Sequence, residues 1–336
     1  MSRFLAPPPE RPIELGPLPT FSVIIAAYQA ADTIGDAVRS ALAQTSPAHE
    51  VIVCDDGSTD DLTGALASYR DRFVLLRKEN GGAASARNVA LRAASGEFVA
   101  QLDSDDAFFP TQLEALGELA RQRPDLDILA TDAHFEVDGR VVGRFYGSQP
   151  FPIEHQRTAI FDRCFVGWPA VRRRRLLAIG GFDESLVTGD DWDAWMRLIL
   201  DGARAGIVTE PLLRYRLTSG SVSSDRVRTL RERVEILDKI AQDPSLTTSE
   251  RRALAAARRA KHGRALLAEA EDALLARRPD ARHRALAVAF AGGVARRTRA
   301  KALAAALLPQ SAGRRLQERD EETVRSRLGR SIPDGR

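Results

Sequence analysis

The sequence predicts an α/β protein, a mostly parallel sheet with flanking helices, followed by a purely helical C-terminal region. Two patterns lead there. Between Phe21 and Asp106, short apolar runs with β-branched residues alternate with amphipathic stretches of helical spacing, the order that builds strand–helix–strand units. From about Asp225 onward the chain is rich in Ala, Arg and Leu and has no clear strand-like run. These boundaries give a proline-rich segment, residues 1–20, an α/β domain, residues 21–224, and a basic helical region, residues 225–336. A length of 336 residues suits two domains or one with an appendage, and 44% hydrophobic content is ordinary for a globular protein.

Taken in order, Phe21–Ala27 reads as a buried parallel strand. Asp32 is placed to cap the helix that follows, whose stripe is Ile34, Val38, Ala41 and Leu42. Glu50–Cys54 is a second strand ending at Asp55-Asp56-Gly57-Ser58, and Asp60 is placed to open a helix along Leu62, Leu66 and Tyr69. Phe73–Leu76 is a third strand, and Asn80-Gly81-Gly82 breaks the chain before a helix from Ala83 to Ala94. A fourth strand from Glu97 ends in Asp103-Ser104-Asp105-Asp106. Leu126–Thr131 is a further strand, and Asp138-Gly139 between two short apolar runs reads as a hairpin turn. Arg172–Ile179 reads as a helix ended by Gly180-Gly181. Its four consecutive arginines read as a solvated face with one or two inward ion pairs, the alternative being a phosphate patch. Asp190–Leu200 is a helix whose Trp192, Trp195, Met196 and Ile199 form a core stripe.

Several chemistries are excluded. No Gly-x-Gly-x-x-Gly follows the first strand, and neither a P-loop nor a Gly-x-Ser-x-Gly elbow is present. Cys54 and Cys164 make neither a disulfide framework nor a zinc pattern, which suits a reducing, cytoplasmic setting. Cys54, inside an apolar run, reads as a buried inert thiol. Met1–Thr20 lacks the charged start and apolar core of a signal peptide, and no stretch reaches the roughly 18 apolar residues of a membrane span. The net charge of +3 hides an asymmetry: residues 225–336 carry 26 Lys and Arg against 15 Asp and Glu, a balance of +11, and the rest carries −8. A basic tail on an acidic body points to an anionic partner for the tail, not to a nucleic-acid-binding protein. Ala285–Ala295 and Ala302–Leu308 are apolar stretches near arginines. They suit either a bundle packed on protein, a second subunit included, or peripheral contact with the inner face of a membrane.

Chemistry concentrates where three carboxylates fall within the four residues Asp103–Asp106. Such groups repel one another and resist desolvation; a divalent cation, Mg²⁺ or Mn²⁺, relieves both, while an acidic turn capping the next helix is the plainer alternative. Other features follow a fixed order: a first strand ending at Tyr28, Asp55-Asp56-Gly57-Ser58-Thr59-Asp60, Asn80-Gly81-Gly82 before Ala86-Arg87-Asn88, the acidic strand end, Gly180-Gly181-Phe182-Asp183-Glu184, and Gly189-Asp190-Asp191-Trp192-Asp193. This order and spacing closely resembles the family 2 glycosyltransferases, which have the GT-A fold, over about Phe21–Ser224.

The resemblance implies an inverting transfer of one sugar from a nucleotide-sugar donor, UDP-linked, to a hydroxyl acceptor: a glycan, a lipid-linked glycan or another molecule. It implies that Ala26, Tyr28, Asp55, Asp56, Gly81, Arg87, Asp103, Ser104 and Asp190 line the donor site. Tyr28 would pack on a uracil-like ring, and Asp56, with Asp55, would accept from its imide N–H, an edge that suits an acceptor-only group. Tyr28 also reads as a core-edge tyrosine, and Asp55–Asp60 as an Asx turn with a helix cap. Arg87 would reach the nucleotide, Asp105 would ligate Mn²⁺ or Mg²⁺ directly, and Asp103 would hold the ribose and reach the metal through water. Asp106 would assist or cap, and Asp191 would be the general base. Three features depart from the pattern: Asp190 replaces the usual Glu, Thr218 stands where a histidine near the metal is common, and the Gln-x-x-Arg-Trp signature of processive synthases is missing. A non-catalytic nucleotide-sugar sensor or scaffold and a sugar-phosphate nucleotidyltransferase are the competing readings. The second wants a Gly-rich basic loop that Ala26-Ala27-Tyr28-Gln29-Ala30 does not supply.

Overall fold

Phe4–Leu5 forms a short strand, β1, and Phe21–Ala27 the first long one, β2, in a computed structural model that describes residues 3–147, 150–217, 225–314 and 316. Then come α1 (Ile34–Leu42), β3 (Glu50–Asp55), α2 (Leu62–Ala65), a 3-10 stretch over Ala67–Arg72, β4 (Val74–Arg77), α3 (Ala83–Ala93) and β5 (Phe98–Asp103). β2 lies between β3 and β5, with β4 outside β3, and all these pairs are parallel. Val23, Ile24 and Ile25 of β2 are buried on both faces, as expected of a strand covered by helices on each side.

The second half of the sheet is mixed. It contains β6 (Ala107–Phe108), β7 (Ile128–Val137), β8 (Arg140–Arg144), β9 (Ala170–Arg172) and β10 (Ala205–Arg216). The helices α4 (Gln112–Gln122), α5 (Gln156–Asp162), α6 (Arg173–Ala178) and α7 (Asp190–Leu200) connect them. The order along the ten-stranded sheet is β1-β10-β7-β9-β5-β2-β3-β4, with β6 on β10 and β8 on β7. β9 runs antiparallel to both neighbours and joins the parallel half to the parallel pair β7–β10. The hairpin between β7 and β8 turns at Asp138 and Gly139, both with positive φ of 48° and 74°, as a two-residue turn of this hand requires.

Local details correct the sequence reading. The cap of α1 is at Thr33: the N–H groups of Thr33 and Ile34 both donate to the Ala30 carbonyl, so Asp32 lies inside that turn, exposed. Asp61, not Asp60, caps α2 by accepting from the Gly64 N–H at 2.9 Å. Asp60 is used elsewhere, accepting from the Ala31 N–H at 2.8 Å and tying the loop after β3 to the loop after β2. The stretch expected as one helix from Arg172 starts as a strand because Arg172 closes the gap at β9. Its guanidinium meets Asp127 at 3.0 Å and Glu97 at 2.5 Å and lies 4.6 Å from the Phe98 ring centroid. Arg175 reaches Asp127 and Asp201, and Arg174 stays exposed, so Arg172 and Arg175 make the one or two inward ion pairs expected of the arginine run. The proline-rich start also joins the sheet, with Phe4 opposite Val208 and Leu5 opposite Ile207.

The chain divides into two compact units, Met1–Ser224 and Asp225–Arg336. The second unit contains α8 (Arg226–Ile240), α9 (Thr248–Leu275), α10 (Ala281–Phe290) and α11 (Arg296–Leu307). Asp225 caps α8 through the Arg228 N–H, and Thr247 with Glu250 forms a capping box on α9. Its core is built from small residues, among them Ala270, Val288, Ala289 and Ala302. Cross-helix ion pairs Arg226–Glu271, Arg231–Glu269 and Arg284–Glu269 consume part of its charge. None of the described helices is long and apolar enough to cross a membrane.

The α6 terminus illustrates how backbone geometry holds the site. Gly181 N–H donates to the Leu176 carbonyl and Gly180 N–H to the Leu177 carbonyl, the paired bonds of a Schellman motif. A Cβ on Gly181, at φ +75°, would fall 2.4 Å from Asn88 Oδ1. Gly181→Ala is therefore expected to destabilise the protein by about 1–3 kcal/mol, read as a lower urea midpoint. An unchanged midpoint would show that this close approach is not required.

Candidate active site

Pairing across the sheet brings the acidic turns together. Ala26 at the end of β2 pairs with Cys54 and Asp103, and Ala27 pairs with Asp55. The turns after β2, β3 and β5 therefore open at one edge, outside the carboxyl ends of parallel strands, where α/β proteins hold ligands. Tyr28 follows β2 with 52% of its surface exposed, enough for a ring to stack on it. Gln29 next to it has φ +50° and clasps the following turn: its N–H donates to Ser58 Oγ, and its Oε1 accepts from the N–H groups of Thr59 and Asp60.

Asp55 and Asp56 are both buried. Asp55 accepts from the Ser58 N–H at 2.8 Å and lies 3.4 Å from Arg77. Asp56 accepts from Lys78 Nζ at 2.8 Å, from the Gly81 N–H at 3.1 and 3.2 Å, and from the Gly82 N–H at 2.7 Å. This fixes the glycine turn, including Gly81, against the end of β3. A base N–H that reaches Asp56 shares an oxygen with these donors or displaces Lys78.

Arg87, one turn into α3, is the link between separate motifs. Its Nη2 donates to Asp103 Oδ1 at 2.8 Å and its Nη1 to Asp190 Oδ2 at 2.6 Å. The guanidinium carbon lies 5.9 Å from the Phe182 ring centroid, and the two carboxylates hold its charge firmly against the cost of burial. The next residue makes a second link. Asn88 donates to the Phe182 carbonyl and to Glu184, each at 2.8 Å, and accepts from the Phe182 N–H at 2.8 Å. Two consecutive residues of α3 thus hold the acidic strand end, the Gly180–Glu184 loop and the start of α7.

The acidic strand end is divided by environment. Asp103 Oδ2 accepts from Trp168 Nε1 at 3.1 Å, so each of its oxygens has one protein donor and keeps a lone pair for another. Ser104 and Asp105 form the turn beyond it, half-buried. No other described residue donates to the Asp105 carboxyl, whose pKa is raised by burial first and by the Asp103 charge second. Asp106 turns inward instead: Oδ1 accepts from the Arg216 N–H at 3.0 Å, and Oδ2 is buried without a partner among the described residues. Burial, then the charges of Asp103 and Asp105, pushes its pKa well above the usual carboxylate range. A divalent cation beside Asp105 would relieve both the burial penalty and the repulsion. Among the described residues no group of three or more His, Cys, Asp and Glu is arranged as a metal cage. A cation held at Asp105 would need further ligands from outside the protein, the usual way Mg²⁺ is held. Thr218 lies outside the described residues.

Three carboxylates open α7, and they differ in one respect. Asp190 is bound to Arg87, and Asp193 is bound to Arg197 at 2.7 Å. Arg197 also donates to the Ile179 and Gly181 carbonyls, which fixes α7 to the end of α6. Asp191 has no basic side chain in contact among the described residues, and only the Trp192 N–H donates to it, at 2.7 Å. Burial first and the neighbouring Asp190 charge second push its pKa up to about 6, against the pull of Arg87.

Two contacts were not legible in the sequence. Lys78 gave no signal beyond a lysine after a strand. Trp168 stands in the irregular Gly167-Trp168-Pro169 stretch, with no periodicity to mark it. It has φ +42°, rare for a bulky residue, and its ring centroid lies 4.6 Å from that of Tyr215. The positive φ aims an indole N–H at Asp103 from outside the strand that carries it.

Comparison with known proteins places these features in context. The sequence profile "Glycosyl transferase family 2" matches residues 22–179. UDP-Glc:alpha-D-GlcNAc-diphosphoundecaprenol beta-1,3-glucosyltransferase WfaP of Escherichia coli is 30% identical over 221 residues, 65% of this chain and 86% of that protein. Among solved structures, S. aureus TarS 1–349 in complex with UDP-GlcNAc superposes with a TM-score of 0.62 at 20% identity, covering 90% of this chain and 92% of the other. The mannosyltransferase PcManGT from Pyrobaculum calidifontis, in complex with GDP-Man and Mn²⁺, gives a TM-score of 0.57 at 21% identity, covering 94% and 90%. The two structures share the fold with this protein.

The bridge at Arg87 makes a direct prediction. Arg87→Lys keeps the charge but loses the planar fork, so one ammonium cannot hold both Asp103 and Asp190 in the same way. The expected cost is about 3 kcal/mol of unfolding free energy, measured by urea denaturation. A variant as stable as the parent would mean that the two ion pairs do not hold the site together.

Proposed function

The chain belongs to glycosyl transferase family 2 and is a glycosyltransferase that uses a nucleotide sugar, and from that premise we propose an inverting, single-sugar transfer with Asp191 as general base. The observation that carries the proposal is the contrast within α7, where Asp191 alone among the first-turn carboxylates has no basic partner among the described residues and has a pKa raised to about 6. A group so poised takes a proton near neutral pH, whereas Asp190 and Asp193 are committed to arginines.

The donor is a UDP-linked hexose, in keeping with the donor named for WfaP and the UDP-GlcNAc in the TarS complex. The acceptor is a hydroxyl of a lipid-linked glycan, the acceptor class named for WfaP. Tyr28 stacks on the base, with Ala26 and the Asp55–Asp56 turn beside it, and Gly81 leaves room for the nucleotide. Asp103, held from two sides by Arg87 and Trp168, accepts from the ribose through its remaining lone pairs. Ser104 follows it in the turn. Asp105 would hold Mn²⁺ or Mg²⁺, and PcManGT was solved with Mn²⁺. When bound, the cation neutralises charge on the departing nucleoside diphosphate.

Asp191 removes the proton of the acceptor hydroxyl as that oxygen bonds to the anomeric carbon and the bond to the diphosphate breaks. The attack comes from the face opposite the leaving group, so the anomeric configuration inverts. Holding both reactants in line supplies much of the rate. The lack of the processive signature favours one sugar per encounter, and the two free cysteines favour a reducing, cytoplasmic setting. Burial pushes the Cys54 thiol up to about 11, so it takes no part in the chemistry.

Two experiments test this reading. Turnover should rise about tenfold per pH unit below about 6 and level off above it, as Asp191 loses its proton. Asp191→Asn should abolish this limb and lower turnover by about 10²-fold or more. The sign of the stability effect is opposite: the raised pKa means that the folded state loses stability as pH rises from about 4 to about 6. Asp191→Asn should therefore melt higher than the parent above pH ~6. Near-normal turnover in this variant rules out the assignment. Separately, EDTA should stop activity, and Asp105→Ala should weaken donor binding and turnover together. Full activity in EDTA, with no metal found by elemental analysis, would contradict a cation at Asp105.

A further inference from the structure

The helical unit has an apolar face pointing outward. Phe290 at the end of α10 is 75% exposed, and Leu303, Leu307 and Leu308 are 43%, 65% and 66% exposed. Leu303 and Leu307 are one turn apart on α11, and Ala300 and Ala304, also exposed, lie on the same side. Phe290 and Leu303 line one shallow depression together with Ala289, Ala300, Arg296 and Arg299. The opposite side of α11 is apolar too, since Ala302 and Ala306 are buried against the unit. α11 therefore has two apolar sides, one packed and one open.

Basic residues border the open side. Arg296, Arg297 and Lys301 are exposed, and no described carboxylate pairs with them. Other arginines of this unit, such as Arg226, Arg231 and Arg284, are committed to carboxylates. The unit carries the chain's +11 balance.

We propose that this face, Phe290 with Leu303, Leu307 and Leu308 bordered by Arg296, Arg297 and Lys301, docks the enzyme on an anionic lipid surface. Leucines and a phenylalanine reach the acyl boundary, and the long basic side chains reach up to lipid phosphates. A purely electrostatic partner such as an acidic protein would explain the arginines and leave the leucines in water. An apolar partner alone would explain the leucines and leave the cations without a counter-charge. An anionic bilayer surface matches both. The contact is peripheral and reversible, because only one short helical face is involved and each basic residue near the surface contributes about 1 kcal/mol. The proposal is independent of which sugar or acceptor the enzyme uses.

The test is sedimentation of the full chain with vesicles. It should pellet with phosphatidylglycerol-containing vesicles at low salt, much less with pure phosphatidylcholine, and less as salt rises. Leu303→Gln with Leu307→Gln should lower the partition coefficient more than about tenfold. Arg296→Gln with Arg297→Gln should remove most of the salt dependence. Phe290→Ser provides a check that does not touch the packed side of α11, and circular dichroism confirms that each variant is folded. Donor hydrolysis in the absence of lipid should be unchanged in all of them, which separates failure of docking from failure of the catalytic reading. If the intact chain stays in the supernatant with anionic vesicles at low salt, the proposal is wrong. It is equally wrong if the leucine variant pellets as well as the parent, or if the parent is a dimer that the leucine variant dissociates while neither binds vesicles.

Discussion

Arg87 carries one positive charge into a place where carboxylates from distant parts of the chain converge. Its two arms hold Asp103, at the end of a sheet strand, and Asp190, at the start of a helix 103 residues after Arg87. Without that charge these acids would repel one another at short range in a poorly hydrated space. With it, they become neighbours of fixed geometry. Asn88 repeats the device with neutral groups by clamping the Phe182 loop. The positions of the strand end, the loop and α7 all depend on one turn of α3.

That constraint also explains how three adjacent acids come to differ. Once Arg87 takes Asp190 and Arg197 takes Asp193, Asp191 keeps its negative neighbour and has no contacting cation among the described residues. Burial then raises its pKa to about 6. The same division runs through the Asp103–Asp106 turn. Asp103 is fixed by protein donors, Asp106 is turned into the fold against the Arg216 N–H, and Asp105 is left with its burial and repulsion unrelieved. In each cluster protein groups hold one or both oxygens of the flanking acids, while Asp191 and Asp105 have no side-chain donor among the described residues. Leaving an acid unsatisfied costs stability, and this cost is expected of groups reserved for chemistry.

The half of the sheet from β2 to β5 was readable because its parallel strands are short apolar runs closed by acidic or glycine turns, and Phe21–Ala27 or Asp190–Leu200 can be bounded on pattern alone. What failed was local and had physical causes. Asp32 and Asp60 looked like caps, but a cap is decided by which backbone N–H lies within reach, and Thr33 and Asp61 occupy those places. β9 was missed because a three-residue strand has no period, and which of the four arginines turns inward is decided by Asp127 and Glu97, which meet Arg172 from elsewhere in the chain. The site's motifs could be read as a set, but not their partners: nothing in the sequence pairs Lys78 with Asp56 or Trp168 with Asp103, since both contacts arise from tertiary folding.

The central functional claim is a single displacement with the base on the face opposite the departing diphosphate. The most direct test is the anomeric configuration of a product that cannot equilibrate afterwards. With UDP-α-glucose as donor and methanol as a minimal acceptor, proton NMR of the methyl glucoside reports which face was attacked. A β-glucoside, absent with Asp191→Asn, is the expected result. An α-glucoside would mean retention of configuration and would contradict the mechanism built on Asp191.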